Sequence, residues 1–512
     1  MPEGYDREMA EHDYIVVGGG TAGCVLAARL SEDPDSSVLL VEAGDAAGPP
    51  AMTDPLVWSS LQGGPADWSY QTVGQPGLAG ARLPVPQGKV LGGSSAINAM
   101  CHVRGHRANF DAWAAAGATG WSYDELLPFF RRSERADGRD PAYRGLDGPM
   151  RVAAPAVDNP LWTAMHRAAL EAGHADATDL AGAVQEGVAW LEVNVVDGRR
   201  QSVADAYLRD VLDRPNLTVR TGARVLRLTV EDGRCRGVEY VGGGERRRAR
   251  AGAEVVLAAG TIGSAQLLML SGIGPAGHLR EVGIEVGTDL PGVGANLQDH
   301  PQSRVGYTAT RPTRMPTLVR RPLVVLRSDP SVAEPDLQFV FGHAARRLRA
   351  VPVPGDGYSI SVGLMTPASR GSLRLTSADP TAAPLIDPAY LTEERDLERL
   401  VTGLRLAREI GAAPALADWR DAEISPGPLL QSDDELRDYV RRSVNTYFHL
   451  TGTCGMGTGE MAVVDTRLRV RGVDGLRVAD ASVMPSIVSA NTNATVLAIA
   501  ERAAAWLTGR DG

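Results

Sequence analysis

Short apolar runs and helically spaced apolar positions alternate near the N-terminus. Residues 13–17 (Asp-Tyr-Ile-Val-Val) predict a strand, and residues 38–41 predict a second one. Between them, residues 21–30 have a helical pattern that ends at Leu30. This strand–helix–strand order predicts the start of an α/β sheet.

Two further patterns divide the rest of the chain. More strands of the same lobe are predicted at 217–219, 225–230 and 254–259. Between residues 301 and 390, apolar side chains instead recur at every second position, at Leu337, Phe339 and Phe341, at Ile360, Val362 and Leu364, and at Leu373 and Leu375. This period predicts an antiparallel sheet with one covered face.

Helical spacing predicts helices over 395–412 and 495–507. The predicted fold class is α/β (α+β).

The composition is that of a folded globular protein. The 512 residues exceed the common domain size of about 100–150 residues several times, which predicts two lobes or one large fold with insertions. Hydrophobic residues make up 44% and charged residues 22%, so a disordered or fibrous protein is not indicated. The net charge of −10 argues against a nucleic-acid partner, which normally requires a basic stripe.

The cysteine spacing and the N-terminal residues indicate in which cellular compartment the protein is expected. The four cysteines are far apart and form no CxxC pair, so neither a disulfide framework nor a zinc site is expected. Residues 1–13 are polar and acidic, unlike a signal peptide. No run of about 18 apolar residues occurs, so no transmembrane segment is expected. We expect a cytoplasmic protein with reduced thiols and no metal site.

Several reaction classes lack the residues that they need. Lys89 is the only lysine and lies in a Gly-rich loop, which disfavours Schiff-base chemistry. The chain has no GxSxG, HExxH or GxxxxGK[ST] motif, so it offers no support for a serine hydrolase, a zinc protease or a P-loop enzyme.

A Gly-rich turn follows the first predicted strand. Gly18, Gly20 and Gly23 fit GxGxxG, and Glu42 ends the second strand about 20 residues later, where a carboxylate accepts hydrogen bonds from ribose hydroxyls. Gly18 permits the tight turn, Gly20 lets the backbone approach a pyrophosphate, and Gly23 allows the helix to pack closely. The motif predicts a dinucleotide site and does not choose between NAD and FAD.

Four separated segments resemble the glucose-methanol-choline (GMC) oxidoreductase family. They are DYIVVGGGTAGCVLAARL (13–30), QGKVLGGSSAINAMCHVRG (87–105), FHLTGTCGMG (448–457) and LRVADASVMPSIVSANTNATVLAIAERAA (476–504). Residues 258–275 and 292–300 add to the resemblance, which runs in order from about residue 12 to 508. It implies a Rossmann-type FAD-binding lobe and a substrate lobe whose antiparallel sheet covers the flavin ring.

The resemblance also implies which residues contact the cofactor. Val225 is similar to the family's adenine contact, and the loop 92–98 to its flavin contact. The predicted cofactor contacts are Gly18, Gly20, Thr21, Ala22, Gly23, Glu42, Ala43, Gly92, Gly93, Asn98, Ala99, Val225, Ala259, Gly260, Asp480, Ala481, Asn491 and Thr492. Some members attach FAD covalently through a histidine, but the matching position here is Ile97. The FAD is therefore expected to be non-covalent.

The resemblance implies two catalytic side chains, His449 and Asn493. A neutral imidazole, with an unperturbed pKa near 6.5, suits a general base that takes the hydroxyl proton of an alcohol while hydride leaves for flavin N5. Asn493 matches the family's second catalytic position and is expected to orient the alcohol by hydrogen bonding. His300 is expected to be structural.

The predicted domains are discontinuous. Residues 1–155, 186–305 and 440–512 are assigned to the FAD-binding domain, and residues 156–185 and 306–439 to the substrate domain. The segment 310–336 is shorter than in many relatives, and its arginines are typical of solvated charge or of a site for an anionic or bulky substrate.

The partners and rival functions stay open at this point. The expected partners are a small-molecule alcohol and an electron acceptor, which is oxygen, a quinone or a redox protein, and the chain is expected to be a monomer or a homodimer. Two alternatives are a hydroxynitrile-lyase-like enzyme on the same fold and a flavoprotein that relays electrons.

Overall fold

A computed structural model describes residues 10–154, 159–313, 321–346, 349, 351 and 353–510. Its strands are β1 (Ala10–Val17), β2 (Val38–Val41), β3 (Tyr70–Gln71), β4 (Pro84–Val85), β5 (Glu134–Arg135), β6 (Met150–Arg151), β7 (Gly187–Trp190), β8 (Val195–Val196), β9 (Arg199–Arg200), β10 (Leu217–Arg220), β11 (Ala223–Glu231), β12 (Arg234–Gly242), β13 (Glu245–Leu257), β14 (Ile273–Gly274), β15 (Thr288–Asp289), β16 (Pro301–Ala309), β17 (Pro322–Leu326), β18 (Leu337–Gly342), β19 (Gly357–Leu364), β20 (Ser372–Arg374), β21 (Leu385–Asp387), β22 (Arg420–Ser425), β23 (Asn445–Thr446) and β24 (Leu476–Val478). Its α-helices are α1 (Thr21–Leu30), α2 (Arg107–Ala115), α3 (Tyr123–Ser133), α4 (Pro160–Glu171), α5 (Gly260–Leu270), α6 (Ala276–Glu281), α7 (Glu394–Ala412), α8 (Asp433–Ser443) and α9 (Asn493–Leu507).

The first large sheet has the strand order β10-β2-β1-β13-β12-β11, with β24 beside β13. Strands β10, β2, β1, β13 and β24 are parallel, while β12 pairs antiparallel to both of its neighbours. Strand β2 is buried along its whole length, as a parallel strand covered on both faces requires. The sequence prediction of this sheet and of α1 is confirmed.

The second large sheet is antiparallel, with the order β22-β16-β19-β18-β17-β7 and with β23 beside β16. One face carries the alternating apolar residues predicted from the period of two, such as Phe339 and Ile360, and packs against α7 through Leu400 and Leu404. The opposite face carries Gln302, Arg304, Ser359 and Ser361, which line a large cavity.

One detail of the predicted second sheet is corrected, and a strand that was not predicted joins it. Leu373 lies in β20, which pairs with β21 in a separate two-stranded sheet. Strand β7 lies within the range assigned to the FAD-binding domain, yet it pairs with β17 at the edge of the second sheet. Periodicity shows that a segment is extended but does not identify its partner strand.

No helix in the described part of the chain is long and apolar enough to cross a membrane.

Candidate active site

A cavity of about 620 Å³ lies between the two large sheets. On one side it is lined by Val17 and Val41, the last residues of β1 and β2, and by Ala258 just after β13. On the other side lie Arg304 and Ser361 of the second sheet. Ligands of open parallel sheets bind outside the carboxyl ends of the strands, which is where this cavity opens.

The turn after β1 requires its glycines. Gly18 has φ 101°, and a Cβ atom on Gly23 would lie 1.8 Å from the carbonyl oxygen of Gly18. The predicted roles of these two glycines in the turn and in helix packing are therefore confirmed. At Gly20 the nearest atom to an added Cβ is 3.9 Å away, on Gly93 across the cavity mouth. The backbone at Gly20 is thus open for a ligand to approach.

Glu42 joins this turn to the end of β2. One carboxylate oxygen accepts from Gly19 N at 2.7 Å and the other from Gly44 N at 2.7 Å. Burial raises the pKa of Glu42, and these backbone donors oppose the rise. Because each carboxylate oxygen can accept more than one hydrogen bond, Glu42 keeps capacity for a ribose hydroxyl in the cavity that it lines.

Three helices begin at the cavity wall. The lining includes Thr21 at the start of α1, Gly260 at the start of α5 and Asn493 at the start of α9. The Thr21 hydroxyl donates to Asn493 Oδ1 at 2.8 Å and so joins two of these helix ends. Helix N-termini favour anions. The helix N-termini and the open backbone at Gly20 fit the pyrophosphate of a bound dinucleotide, and the buried Glu42 fits its ribose.

The carboxylate of Asp480 is hydrogen-bonded to the N-terminal turn of α5. Its oxygens accept from Gly260 N at 2.9 Å, Ser264 Oγ at 2.5 Å and Ser482 N at 2.8 Å. Burial raises the pKa of this carboxyl, and these donors oppose the rise. Asp480 lines the cavity and holds two of its wall segments together.

At the other end of the cavity, the buried imidazole of His449 lies between two polar side chains. Its Nδ1 is 2.9 Å from His300 Nδ1, and its Nε2 is 3.2 Å from Asn491 Nδ2. Burial lowers the pKa of His449 to about 3 and holds that of His300 well below its ordinary value. Both rings are therefore neutral at physiological pH.

A chain of hydrogen bonds selects the tautomer of His449. The Tyr447 hydroxyl donates to Gln338 Oε1 at 2.8 Å, and Gln338 Nε2 donates to Asn491 Oδ1 at 3.5 Å. Asn491 therefore presents its N–H group, a donor, to His449 Nε2, which accepts. The ring proton of His449 must then be on Nδ1 and points to His300. The arrangement puts the basic lone pair of the ring on Nε2, where it accepts from Asn491 at the cavity wall.

The backbone before His449 is held in an unusual conformation. Phe448 has φ 69°, in the left-handed region that bulky residues avoid. Thr446 Oγ1 accepts from Phe448 N at 2.8 Å, and Asp299 Oδ1 accepts from His449 N at 2.7 Å. Burial raises the pKa of Asp299 to about 6. These contacts fix the direction in which the imidazole enters the cavity.

The cavity collects nearly all the residues predicted for the site. Among them, those that line it are Gly18, Gly20, Thr21, Ala22, Glu42, Ala43, Gly93, Asn98, Ala99, Val225, Ala259, Gly260, His449, Asp480, Ala481, Asn491, Thr492 and Asn493. Gly23 and Gly92 are behind its wall: Gly23 packs under the turn, and Gly92 N donates to Gly19 O at 2.7 Å.

Two asparagines lie in positions that differ from those expected from the sequence. Asn491, predicted as a cofactor contact, lies beside the His449 imidazole, whereas Asn493, predicted as catalytic, accepts from Thr21 at the start of α9. The physical reason is that α9 begins at Asn493, so this side chain faces the neighbouring helix end.

Sequence reasoning also missed two residues of the hydrogen-bonded chain. His300, which is expected from the sequence to be structural, touches the His449 ring, and Gln338 has no role in the sequence-based prediction. The only signal for His300 was its place in Gln298-Asp299-His300, a segment that already resembled the family.

Comparison with known proteins agrees with this architecture. The family models for GMC oxidoreductases match residues 12–302 and 367–500. The chain is 41% identical to mitochondrial choline dehydrogenase of Homo sapiens, over 98% of this chain and 90% of that protein. The structure of pyridoxine 4-oxidase from Mesorbium loti has a TM-score of 0.94 and 38% identity, covering 97% of this chain and 99% of that one. An Aspergillus oryzae formate oxidase variant studied for FAD modification has a TM-score of 0.90 and 27% identity, covering 99% of each chain.

Proposed function

Because the chain belongs to the GMC oxidoreductase family and is an FAD-dependent alcohol oxidoreductase, we propose that it converts an alcohol to an aldehyde or ketone with His449 as the general base. The single observation that carries this proposal is the neutral, buried imidazole at the cavity wall, whose Nε2 is the basic nitrogen and lies beside the amide of Asn491. Bound FAD supplies the acceptor for the hydride that leaves the carbinol carbon.

The proton of the alcohol goes to His449 Nε2. The low pKa keeps this nitrogen unprotonated before the reaction. As the O–H bond weakens, negative charge develops on the alcohol oxygen beside the ring, and an adjacent negative charge raises the proton affinity of an imidazole. His300 Nδ1 accepts the Nδ1–H of His449 and stabilises the ring when it becomes charged.

The alcohol oxygen is oriented by Asn491, not by Asn493. Asn491 Nδ2 lies 3.2 Å from the basic nitrogen, so an alcohol oxygen that replaces this contact donates to His449 Nε2 and accepts from an N–H of the amide. A donor at this point stabilises the charge that develops on oxygen. Gln338 holds the amide with its donor toward the imidazole.

The FAD is held without a covalent bond in this proposal. Ile97, at the position where some family members carry a linking histidine, has an aliphatic side chain with no nucleophile. Acid precipitation checks this point, because a non-covalent flavin stays in the supernatant. A yellow pellet would contradict it.

The reaction itself is tested by the visible spectrum of the purified holoenzyme under anaerobic conditions. Primary alcohols, secondary alcohols and sugars are added in turn, and loss of the oxidised flavin band shows hydride transfer. Aldehyde release without loss of that band would instead support a lyase. Reoxidation of the reduced enzyme with oxygen, a quinone or a redox protein then identifies the electron acceptor.

A further inference from the structure

The charges around the cavity are not distributed evenly. Among the described residues, the carboxylates that line it are Glu42 and Asp480, and both are bonded to backbone N–H groups of the nucleotide-binding turns. The second sheet and the segments beside it contribute three arginines, Arg304, Arg321 and Arg346. The catalytic end of the cavity is therefore basic.

Arg304 is the most unusual of these arginines because it is only 5% exposed. Its guanidinium makes no hydrogen bond or ion pair within the described part of the chain, and its Nε is fully buried without a partner there. Burial lowers the pKa of Arg304 to about 10; Tyr439 opposes this effect, and the charge of Arg346 adds a smaller lowering. The group is therefore still a cation at neutral pH.

A buried cation without an anion is costly for a folded protein. Moving a charged group out of water costs roughly several kcal/mol unless a partner of opposite charge or a set of hydrogen bonds compensates the lost hydration. Buried arginines elsewhere in the described residues have partners: Arg104 and Arg144 both bind Glu134, and Arg200 donates to backbone carbonyl oxygens. An anionic partner for Arg304 is therefore expected to come from outside the described residues, and the cavity beside it is where a ligand supplies one.

The sheet leaves room for that partner. Arg304 on β16 is in register with Ser361 on β19, which is in turn opposite Val340 on β18. Two residues along the same face, Ser359 is opposite Gly342. These small side chains line the cavity beside the guanidinium.

A second guanidinium faces the same space. Arg321 lies just before β17, and its described side-chain partner is the Cys101 sulfur, 3.8 Å from Nη2. Its Nε is buried without a partner among the described residues. A sulfur atom is a weak acceptor, so this arginine also retains donors for an anion.

The position of Arg304 relative to the base sets the length of the ligand. His300, which touches His449, directly precedes β16, and Arg304 follows it by four residues. A strand rises about 3.3 Å per residue, which places the two Cα atoms roughly 13 Å apart. An anion at the guanidinium is therefore expected to lie several bonds from a carbon that reacts at His449.

We propose that the substrate is an alcohol with an acidic group, a carboxylate or a phosphate, several bonds from its hydroxyl-bearing carbon, and that Arg304 binds this group with support from Arg321. The inference rests on the proposed alcohol oxidation. A cationic alcohol such as choline meets arginines here and no lining carboxylate at the catalytic end of the described cavity.

Matched alcohols test the substrate class. The anaerobic rate of flavin reduction is measured with 6-hydroxyhexanoate, 6-hydroxyhexyl phosphate, 1-hexanol and choline. A hydrogen bond to a charged group contributes about 1.5–3 kcal/mol, so kcat/KM for at least one acidic alcohol is expected to exceed that for 1-hexanol by about 10–100-fold. The better of the two acids identifies the anion. Equal or better turnover of 1-hexanol or choline overturns the proposal.

Variants at one position test the residue. Arg304→Gln is expected to raise KM for the acidic alcohol by about 10–100-fold, and the ratio of kcat/KM for the acidic alcohol to kcat/KM for 1-hexanol is expected to fall by a similar factor. Arg304→Lys keeps the charge and is expected to retain most of the preference. If Arg304→Gln changes both alcohols equally, or neither, Arg304 does not bind the anion.

A binding measurement separates this proposal from the reaction on which it rests. Hexanoate has the acid but no hydroxyl, so it is titrated into the holoenzyme and followed by the flavin difference spectrum or by calorimetry, with hexylamine as the control. If hexanoate binds and Arg304→Gln weakens that binding, the anion site is supported. This holds even if no alcohol bleaches the flavin, a result that would refute only the proposed alcohol oxidation. No binding of hexanoate, or equal binding of hexylamine, overturns the anion site.

Discussion

At the scale of single residues, the chemistry depends on the direction of a few hydrogen bonds around His449. Tyr447, Gln338 and Asn491 form a chain that ends on Nε2, while His300 takes the proton of Nδ1. An imidazole with the opposite tautomer would present an N–H group to the alcohol and would not be a base. The surrounding amides thus decide whether the ring is able to react.

His449→Ala removes the base and is expected to lower the anaerobic rate of flavin reduction by about 10²–10⁴-fold, with the flavin still bound. His174→Gln is the control, because His174 does not line the cavity. A rate that is unchanged in His449→Ala would refute its role as the base.

Asn491→Ala and Asn493→Ala form a matched pair. Removing a donor to a developing oxyanion costs about 10²–10³-fold in rate, so Asn491→Ala is expected to lose reduction rate at normal flavin content. Asn493→Ala is expected to act mainly on flavin affinity, since its side chain joins α9 to Thr21. Rapid-reaction spectroscopy and flavin content distinguish the two, and the reverse pattern would restore Asn493 to the catalytic role.

The pH dependence follows from the lowered pKa of His449. A base whose pKa is about 3 is unprotonated at every pH well above 3 and is lost only as the pH falls through that value. Protonation of His449 is therefore expected to cause no loss of the rate of flavin reduction between pH 5 and 8. Asp299, which accepts from His449 N and has a pKa of about 6, is a group that titrates in this range. A loss of rate near pH 6.5 that persists in Asp299→Asn would contradict the low pKa of His449.

The sequence predicted His449 because its motif is continuous in the chain. It did not distinguish Asn491 from Asn493, because the two lie in the same short motif and only the start of α9 decides which one faces the imidazole. His300 lies 149 residues from His449, so their contact depends on how the two segments meet in the fold. Nor does any local pattern reveal that Arg304 is without an anionic partner.

At the scale of helices and strands, the nucleotide end was predictable and the substrate end was less so. Buried parallel strands such as β2 have continuous apolar runs, and the turn after β1 carries glycines whose spacing follows from its geometry. Strand β7 has only four residues, Gly187–Trp190, and no pattern that predicts its place beside β17.

Gly23→Ala tests the close packing of α1 on its turn. The added Cβ would lie 1.8 Å from Gly18 O, so the turn must shift, and we expect lower flavin content and a lower Tm. The control is Gly277→Ala, in the first turn of α6, where an added Cβ meets no atom within 4 Å. That change is expected to be neutral or to stabilise by up to about 1 kcal/mol. Equal Tm and flavin content in both variants would contradict the packing argument.

At the scale of the whole molecule, one cavity joins the two large sheets, so its ligand contacts both lobes. The family resemblance predicted two lobes and the covering sheet. The structure adds which strands pair with each other, which the sequence could not predict. The exact domain boundaries stay a prediction.

FAD is therefore expected to stabilise the entire fold. A ligand that binds only the native state at 100 times its Kd raises the free energy of unfolding by about 2.7 kcal/mol. Thermal unfolding of the apoprotein at increasing FAD should show a rising Tm, with NAD as the control. A Tm that does not respond to FAD, or that responds equally to NAD, would contradict this role.

The hydrogen bond between Thr21 and Asn493 spans 472 positions of the chain. During translation, the Gly-rich turn leaves the ribosome long before the segment that completes the wall around it, including β24 and the start of α9. A nascent chain that lacks residues 476–493 therefore has an incomplete cofactor site, however well its first strands have formed. Loading of the flavin is therefore expected to be a late event in biosynthesis, because chains that terminate early have no complete site in which to retain it.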